Sequence, residues 1–235
     1  MQGIGIGTSD FKKMRVNDYF YVDKTLFIKD VLDNKSEIAL ITRPRRFGKT
    51  LNMSTLKYYF DCTQKDNKEL FKGLKIMDQE EKYTSKLGYY PVIYITLKDV
   101  VSTNFEKMLL CLKTELVEVF IDFANLLKSE KLLDVEKEMF STILNLKANE
   151  IEMRDALKLL TRLLYKEYQK PVMLLIDEYD VPLQNAYVEG YYEEAVKFFK
   201  TFYGTTFKDN PYLEKTVLTG VSRVAKESIF SAAIN

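Results

Sequence analysis

The sequence predicts an α/β fold in which a mostly parallel sheet is covered by helices on both faces. Three observations carry that expectation. Short apolar runs at 38–42, 91–97 and 171–177 are continuous rather than alternating, as strands buried on both faces are. Helical patterns lie between them, the alternation that builds parallel sheets. The run IALITRPRRFGKTL at 38–51 joins a strand, a tight turn and Gly-Lys-Thr at the start of a helix, the context of a phosphate-cradling loop.

Taken in order, residues 1–18 form an entry segment without clear periodicity. The run YFYVDKTLFIKDVL begins at Tyr19 as a short aromatic strand and becomes helical after Asp23, whose side chain suits an N-cap. Leu26, Phe27 and Val31 give that helix one apolar face. A turn at 33–37 precedes the first strand. Residues 61–90 are polar and irregular, with a short helix around 68–74. The strand at 91–97 is apolar on both alternations apart from Thr96. Apolar positions 105, 108, 109, 112, 116, 119, 120, 123, 126 and 127 keep a 3.6-residue period and predict one long helix over 104–127. Residues 128–150 are charged and helical with a break, and another helix spans 151–168. The strand VMLLID then closes on an acidic pair, Asp177 and Glu178. A helix near 191–203 and a last strand at 215–220 complete the pattern.

With 235 residues the chain can bury a sizeable core. It has no internal repeat or linker, so it reads as one domain, 1–235, cut short at its C-terminal end. A net charge of +1 exerts no global pull on nucleic acid or an acidic membrane. No apolar run approaches the roughly 18 residues of a membrane span, and the first residues lack a signal-peptide pattern. Cys62 and Cys111 read as buried small hydrophobes of a reducing cytoplasm. The chain has no histidine, which excludes histidine-dependent serine or cysteine catalysis and His-built zinc sites.

The chemistry concentrates in three places. In the loop, Pro44, Arg45, Arg46, Phe47, Gly48, Lys49, Thr50 and Leu51 are the candidate phosphate binders. Backbone N–H groups and the helix start wrap a polyphosphate, Lys49 reaches the outer phosphates, and the Thr50 hydroxyl ligates Mg2+. The first glycine of Gly-x-x-x-x-Gly-Lys-Thr would fall at 43, where Arg43 stands. Outside its strand–loop–helix setting, Gly48-Lys49-Thr50 would read as a solvated helix start. At the acidic strand end, Asp177 would hold the metal through water and Glu178 would serve as general base. The competing reading is an acidic end that caps the next helix, and Asp180 suits a brace of that turn. At the close of the last strand, Thr219 is placed to position water and Arg223 to sense the γ-phosphate, against a surface turn with a solvated arginine. Arg43, Arg45 and Arg46 suit a triphosphate or a neighbouring subunit better than nucleic acid. The aromatic residues at 19–21, 198, 199, 202 and 203 read as core rather than as a base-stacking platform.

On the motifs YVDKTLFI, TRPRRFGKTLNMS, LLIDEYDVPL and LTGVSR, the chain resembles the bacterial AAA-ATPase-like family over residues 3–231. The resemblance implies a P-loop NTPase three-layer sandwich of the additional-strand type, order 5-1-4-3-2, here with a helical insertion around 104–168. RPRRFGKT is itself the family's pattern, so Arg43 no longer counts against nucleotide binding. Similarity to signal-transduction ATPases implies that the segment ahead of the loop packs on adenine, which makes Tyr21, Val22, Asp23 and Lys24 the adenine-side candidates. Fuller members of the family continue into a nuclease-like domain of the PD-(D/E)xK type. The expectation is a Mg2+-dependent ATPase. Its rivals are a nucleotide switch acting on an attached or partner effector domain, or within a homo-oligomer, and a small-molecule kinase. The Asp177-Glu178 pair disfavours the kinase, which must exclude water rather than activate it.

Overall fold

The computed structural model of the chain describes Gly3, Gly5 and residues 7–221. Its sheet has four strands, β1 (Ile38–Thr42), β2 (Val92–Thr96), β3 (Val172–Asp177) and β4 (Leu213–Gly220). Every neighbouring pair is parallel and the spatial order is β1-β4-β3-β2. The order expected from the resemblance, 5-1-4-3-2, is therefore corrected: among the described residues β1 is an edge strand. The succession from β1 to β2 agrees, but among the described residues no fifth strand flanks β1. The aromatic run at Tyr19 does not supply one, because its pairing is limited to a single bridge between Gly3 and Tyr19.

Ahead of the sheet lie α1 (Phe11–Val16) and α2 (Phe27–Asp33), and α3 (Lys49–Phe60) follows β1. Residues 61–90 carry 3-10 turns at Lys65–Phe71 and Lys75–Asp78 and the one-turn α4 (Glu81–Thr84). Between β2 and β3 come α5 (Phe105–Ile121), α6 (Asp134–Leu144) and α7 (Glu150–Tyr168); between β3 and β4 come α8 (Val181–Glu189) and α9 (Tyr192–Phe207).

Alternation along the strands divides the core in two. Val172, Leu174 and Ile176 join Ile93, Ile95 and Leu218 beneath α5, α7 and α9. Met173 and Leu175 join Ala39, Val92 and Val217 beneath α3 and α1. A period of two sends successive side chains to opposite faces, so strands apolar throughout are what a sheet covered on both sides needs. The architecture is thus α/β in three layers.

Three local expectations give way, and one helix was not expected. Asp23 is not a helix cap: its Oδ1 accepts from Thr25 N at 2.8 Å and Thr25 Oγ1 at 2.6 Å, a local turn that delays α2 to Phe27. The short helix expected around 68–74 is a 3-10 turn that ends at Phe71. The long helix expected over 104–127 ends at Ile121 and resumes as a 3-10 turn at Ala124–Lys128, which still buries Leu126. Finally, α8 forms directly after the acidic strand end, with a proline in its first turn and Gly190 as its left-handed stop.

Candidate functional site

The loop 43–48 leaves the carboxyl end of β1 and α3 takes up the chain at Lys49. Arg43 N donates to Gly220 O at 3.2 Å, so its backbone continues the ladder to β4. The left-handed residues of the loop are Arg46 (φ 68°) and Gly48 (φ 76°), and Arg43 is not among them. Position 43 therefore has no conformational need for glycine. A Cβ on Gly48 would meet no atom within 4 Å, so the dihedral rather than crowding calls for glycine there. Arg46 holds the same region at a cost of roughly 1–3 kcal/mol, the kind of strain that collects at functional loops.

Among the described residues, the backbone N–H groups of Arg45, Arg46, Phe47 and Gly48 donate to no protein acceptor. Left-handed residues at 46 and 48 alternate with the others, the backbone pattern from which anion-binding concavities are built. The unpaired N–H groups of the first turn of α3 add to it. Pro44, Arg45, Arg46 and Phe47 are exposed, while Thr50 and Leu51 are half-buried.

Lys49 is 5% exposed. Its Nζ donates to the carbonyl oxygens of Arg43 (3.0 Å) and Pro44 (3.3 Å) and lies 3.8 Å from Glu178 Oε1. The loop lysine and the acidic strand end, far apart in sequence, are thus in contact. Burial pushes the Glu178 carboxyl above its ordinary value; the Lys49 charge opposes this, and Asp177 and Asp180 reinforce it. Glu178 itself is left-handed at φ 55°.

Asp177 is buried at the tip of β3. Thr219 Oγ1 from β4 donates to its Oδ1, and Tyr94 Oη from β2 donates to its Oδ2 at 3.5 Å. Thr219 Oγ1 also accepts from Glu178 N at 3.4 Å, and Thr219 O accepts from Tyr179 N at 2.9 Å. Thr219 therefore braces the acidic pair instead of facing open solvent. The next turn is held by Asp180, whose Oδ2 accepts from Gln184 Nε2 at 2.7 Å and Val221 N at 3.0 Å. Arg223 lies outside the described residues.

Of the residues ahead of the loop, Tyr21 packs edge-on against Phe11 (5.4 Å), while Val22 and Lys24 are exposed. Asp23 Oδ2 accepts from Lys75 N at 2.8 Å and Thr25 Oγ1 from Ile76 N at 3.2 Å. This segment clasps the 3-10 turn at Lys75–Asp78. Sequence reasoning missed Tyr94 and Gly220 as parts of the site. The available signals were a hydroxyl inside an otherwise apolar strand and a glycine at a strand tip.

Among the described residues, no three or more His, Cys, Asp or Glu side chains are grouped to hold a metal. Mg2+ keeps several waters and takes one or two protein oxygens beside substrate phosphates. Thr50 and Asp177 fit that minimal donor set. A cleft of about 610 Å³ around Pro211 and Tyr212 lies at the opposite, amino end of β4 and has no part in this arrangement.

A family model described as Predicted AAA-ATPase matches residues 5–230. A curated relative from Azotobacter chroococcum mcd 1, "Uncharacterized protein in vnfD 5'region", is 28% identical over 232 residues, 98% of this chain and 39% of its own. The chain thus spans about two fifths of the length of that relative. No solved structure matches. Among the described residues, no helix is long and apolar enough to cross a membrane.

Proposed function

From the premise that the chain belongs to the predicted AAA-ATPase family, we propose that it binds ATP at residues 44–51 and hydrolyses it in a Mg2+-dependent reaction. The observation that carries this reading is the 3.8 Å approach of Lys49 to Glu178 at the carboxyl end of a parallel sheet, where α/β folds bind phosphates. The N–H groups at 45–48 and Lys49 hold the β- and γ-phosphates, and Arg45 adds charge beside Glu178. Thr50 and Asp177 would hold the metal, which would supply neutralisation of phosphate charge. Glu178 takes a proton from water as the water oxygen bonds to the γ-phosphorus. The bond from that phosphorus to the β–γ bridging oxygen breaks, and ADP leaves with its electron pair. The raised Glu178 carboxyl suits a base whose pKa lies nearer the working pH. Arg223, at the end of LTGVSR, remains the proposed γ-phosphate sensor.

A switch that binds ATP and controls an attached or partner domain without turnover uses the same residues. Two variants separate these readings. Lys49→Ala should lower ATP affinity at least tenfold in equilibrium binding, and unchanged affinity would refute the site. Glu178→Gln should retain ATP and abolish phosphate release. A wild type that binds Mg2+-ATP and releases no phosphate in any oligomeric state would establish the switch.

A further inference from the structure

We propose that Tyr94 is a positioning residue that fixes the orientation of Asp177 for a magnesium ion shared with ATP. This rests on the reading of Asp177 given above. β3 is flanked by β4 on one side and β2 on the other. Each neighbour sends one hydroxyl to the carboxylate at its tip, Thr219 to Oδ1 and Tyr94 to Oδ2. The register explains why both can reach. Tyr94 pairs with Leu175 and Leu175 with Val217, so Tyr94, Asp177 and Thr219 share the sheet face beneath α3. That face is the one on which the phosphate loop and its helix sit.

The tyrosine is itself held. Lys57, on α3, lies over its ring with Nζ 5.4 Å from the centroid, and Lys57 is in turn 3.7 Å from Asp122. The helix that begins at Lys49 therefore grips the ring whose phenol reaches the metal-binding carboxylate. A carboxylate held by one donor can swivel about its Cβ–Cγ bond; opposed donors on its two oxygens stop that rotation. Hydrogen-bond partners of metal ligands set ligand orientation in this way, and losing one costs about 10–100-fold in metal affinity or activity. Tyr94 also lines a cleft of about 210 Å³ with Glu115, Glu118 and Asp122.

The test is a Mg2+ titration of the binding of a fluorescent ATP analogue to the full chain, paired with the same titration in EDTA. Tyr94→Phe should raise the Mg2+ concentration for half-maximal binding about tenfold. Affinity in EDTA and the urea midpoint should stay at wild-type values, because Phe keeps the ring and the Lys57 contact. Thr219→Val should move the Mg2+ midpoint in the same direction. Should Tyr94→Phe fail to fold, Lys57→Met keeps the phenol and loosens the ring, and should give a smaller shift in the same direction. A wild-type Mg2+ midpoint in the folded variant would overturn the proposal, as would an equal loss of affinity with and without Mg2+. A wild type that binds nucleotide with no response to Mg2+ would overturn the metal role of Asp177 as well. A responsive wild type with an unaffected Tyr94→Phe would overturn the positioning role alone.

Discussion

Replacing Gly220 with alanine tests how tightly the acidic strand end is built. The new Cβ would lie 2.5 Å from Asp180 Oδ1 and 2.6 and 2.8 Å from two ring carbons of Tyr179. Neither neighbour can yield easily. Tyr179 and Asp180 are buried, and Asp180 Oδ2 already accepts from Gln184 and Val221. Overpacking of this kind costs about 1–3 kcal/mol, and three contacts under 3 Å point to the upper end. In a domain of this size each kcal/mol lowers Tm by about 2–4 °C, so the midpoint should fall by roughly 6–12 °C. Gly48→Ala is the matched control. Its Cβ meets nothing, so only the left-handed dihedral is strained, at about 1–2 kcal/mol and roughly 2–8 °C. Thermal unfolding followed by circular dichroism measures both. Gly220→Ala should also weaken ATP turnover, because the displaced residues directly follow Glu178. A Gly220→Ala midpoint equal to wild type, or above that of Gly48→Ala, would refute the packing argument.

Two stability predictions lie away from the site. Glu136 in α6 accepts from Lys166 Nζ at 2.7 Å and from Leu133 N at 3.1 Å, with Arg162 Nε 3.6 Å away. Burial would raise its carboxyl, but these donors and charges outweigh burial and hold it below the ordinary 4.5. A carboxyl lowered on folding stabilises the fold above its unfolded pKa, and that contribution is lost as pH falls through the folded value. Glu136→Gln should thus cost about 1–2 kcal/mol in urea unfolding at pH 7, discounted because both cations are partly exposed. The gap should narrow as pH falls below the ordinary 4.5 and through the lowered folded value, and a gap of constant size would refute this account. Lys215 is buried in β4, and its Nζ donates to Val31 O and Asn34 O at the carboxyl end of α2. Lys215→Met strands those carbonyls and should cost about 2–3 kcal/mol; an unchanged urea midpoint would sink that reading.

The turn between β1 and α3 and the acidic strand end were legible in the sequence because local chemistry dictates both. Uninterrupted apolar runs mark strands covered on two faces, and a Gly-Lys-Thr after such a run has few other uses. The helix expected over 104–127 was legible through its 3.6-residue period, though it ends at Ile121, and the one expected at 151–168 forms at Glu150–Tyr168. The break at Asp122 was hidden because the following 3-10 turn continues to bury Phe123 and Leu126, so the apolar pattern passes through a change of backbone. Asp23 misled because a capping residue and a turn residue use the same side-chain oxygen. The hydrogen bond from Lys75 N, distant in the chain, belongs to the turn.

The sequence by itself picked out the candidate site residues and the parallel sheet that holds them, since side-chain type and periodicity are local properties. Only the tertiary structure decided how they meet. The pairing of Lys49 with Glu178, the two hydroxyls on Asp177 and the crowding at Gly220 follow from the order β1-β4-β3-β2, which sets strands from distant parts of the chain side by side. The same holds for Arg43. As a letter it breaks the glycine pattern, whereas in the fold its backbone pairs with Gly220 and the left-handed turns fall at Arg46 and Gly48. Backbone dihedrals are set by what the chain pairs with, and that partner comes from a strand far along the sequence.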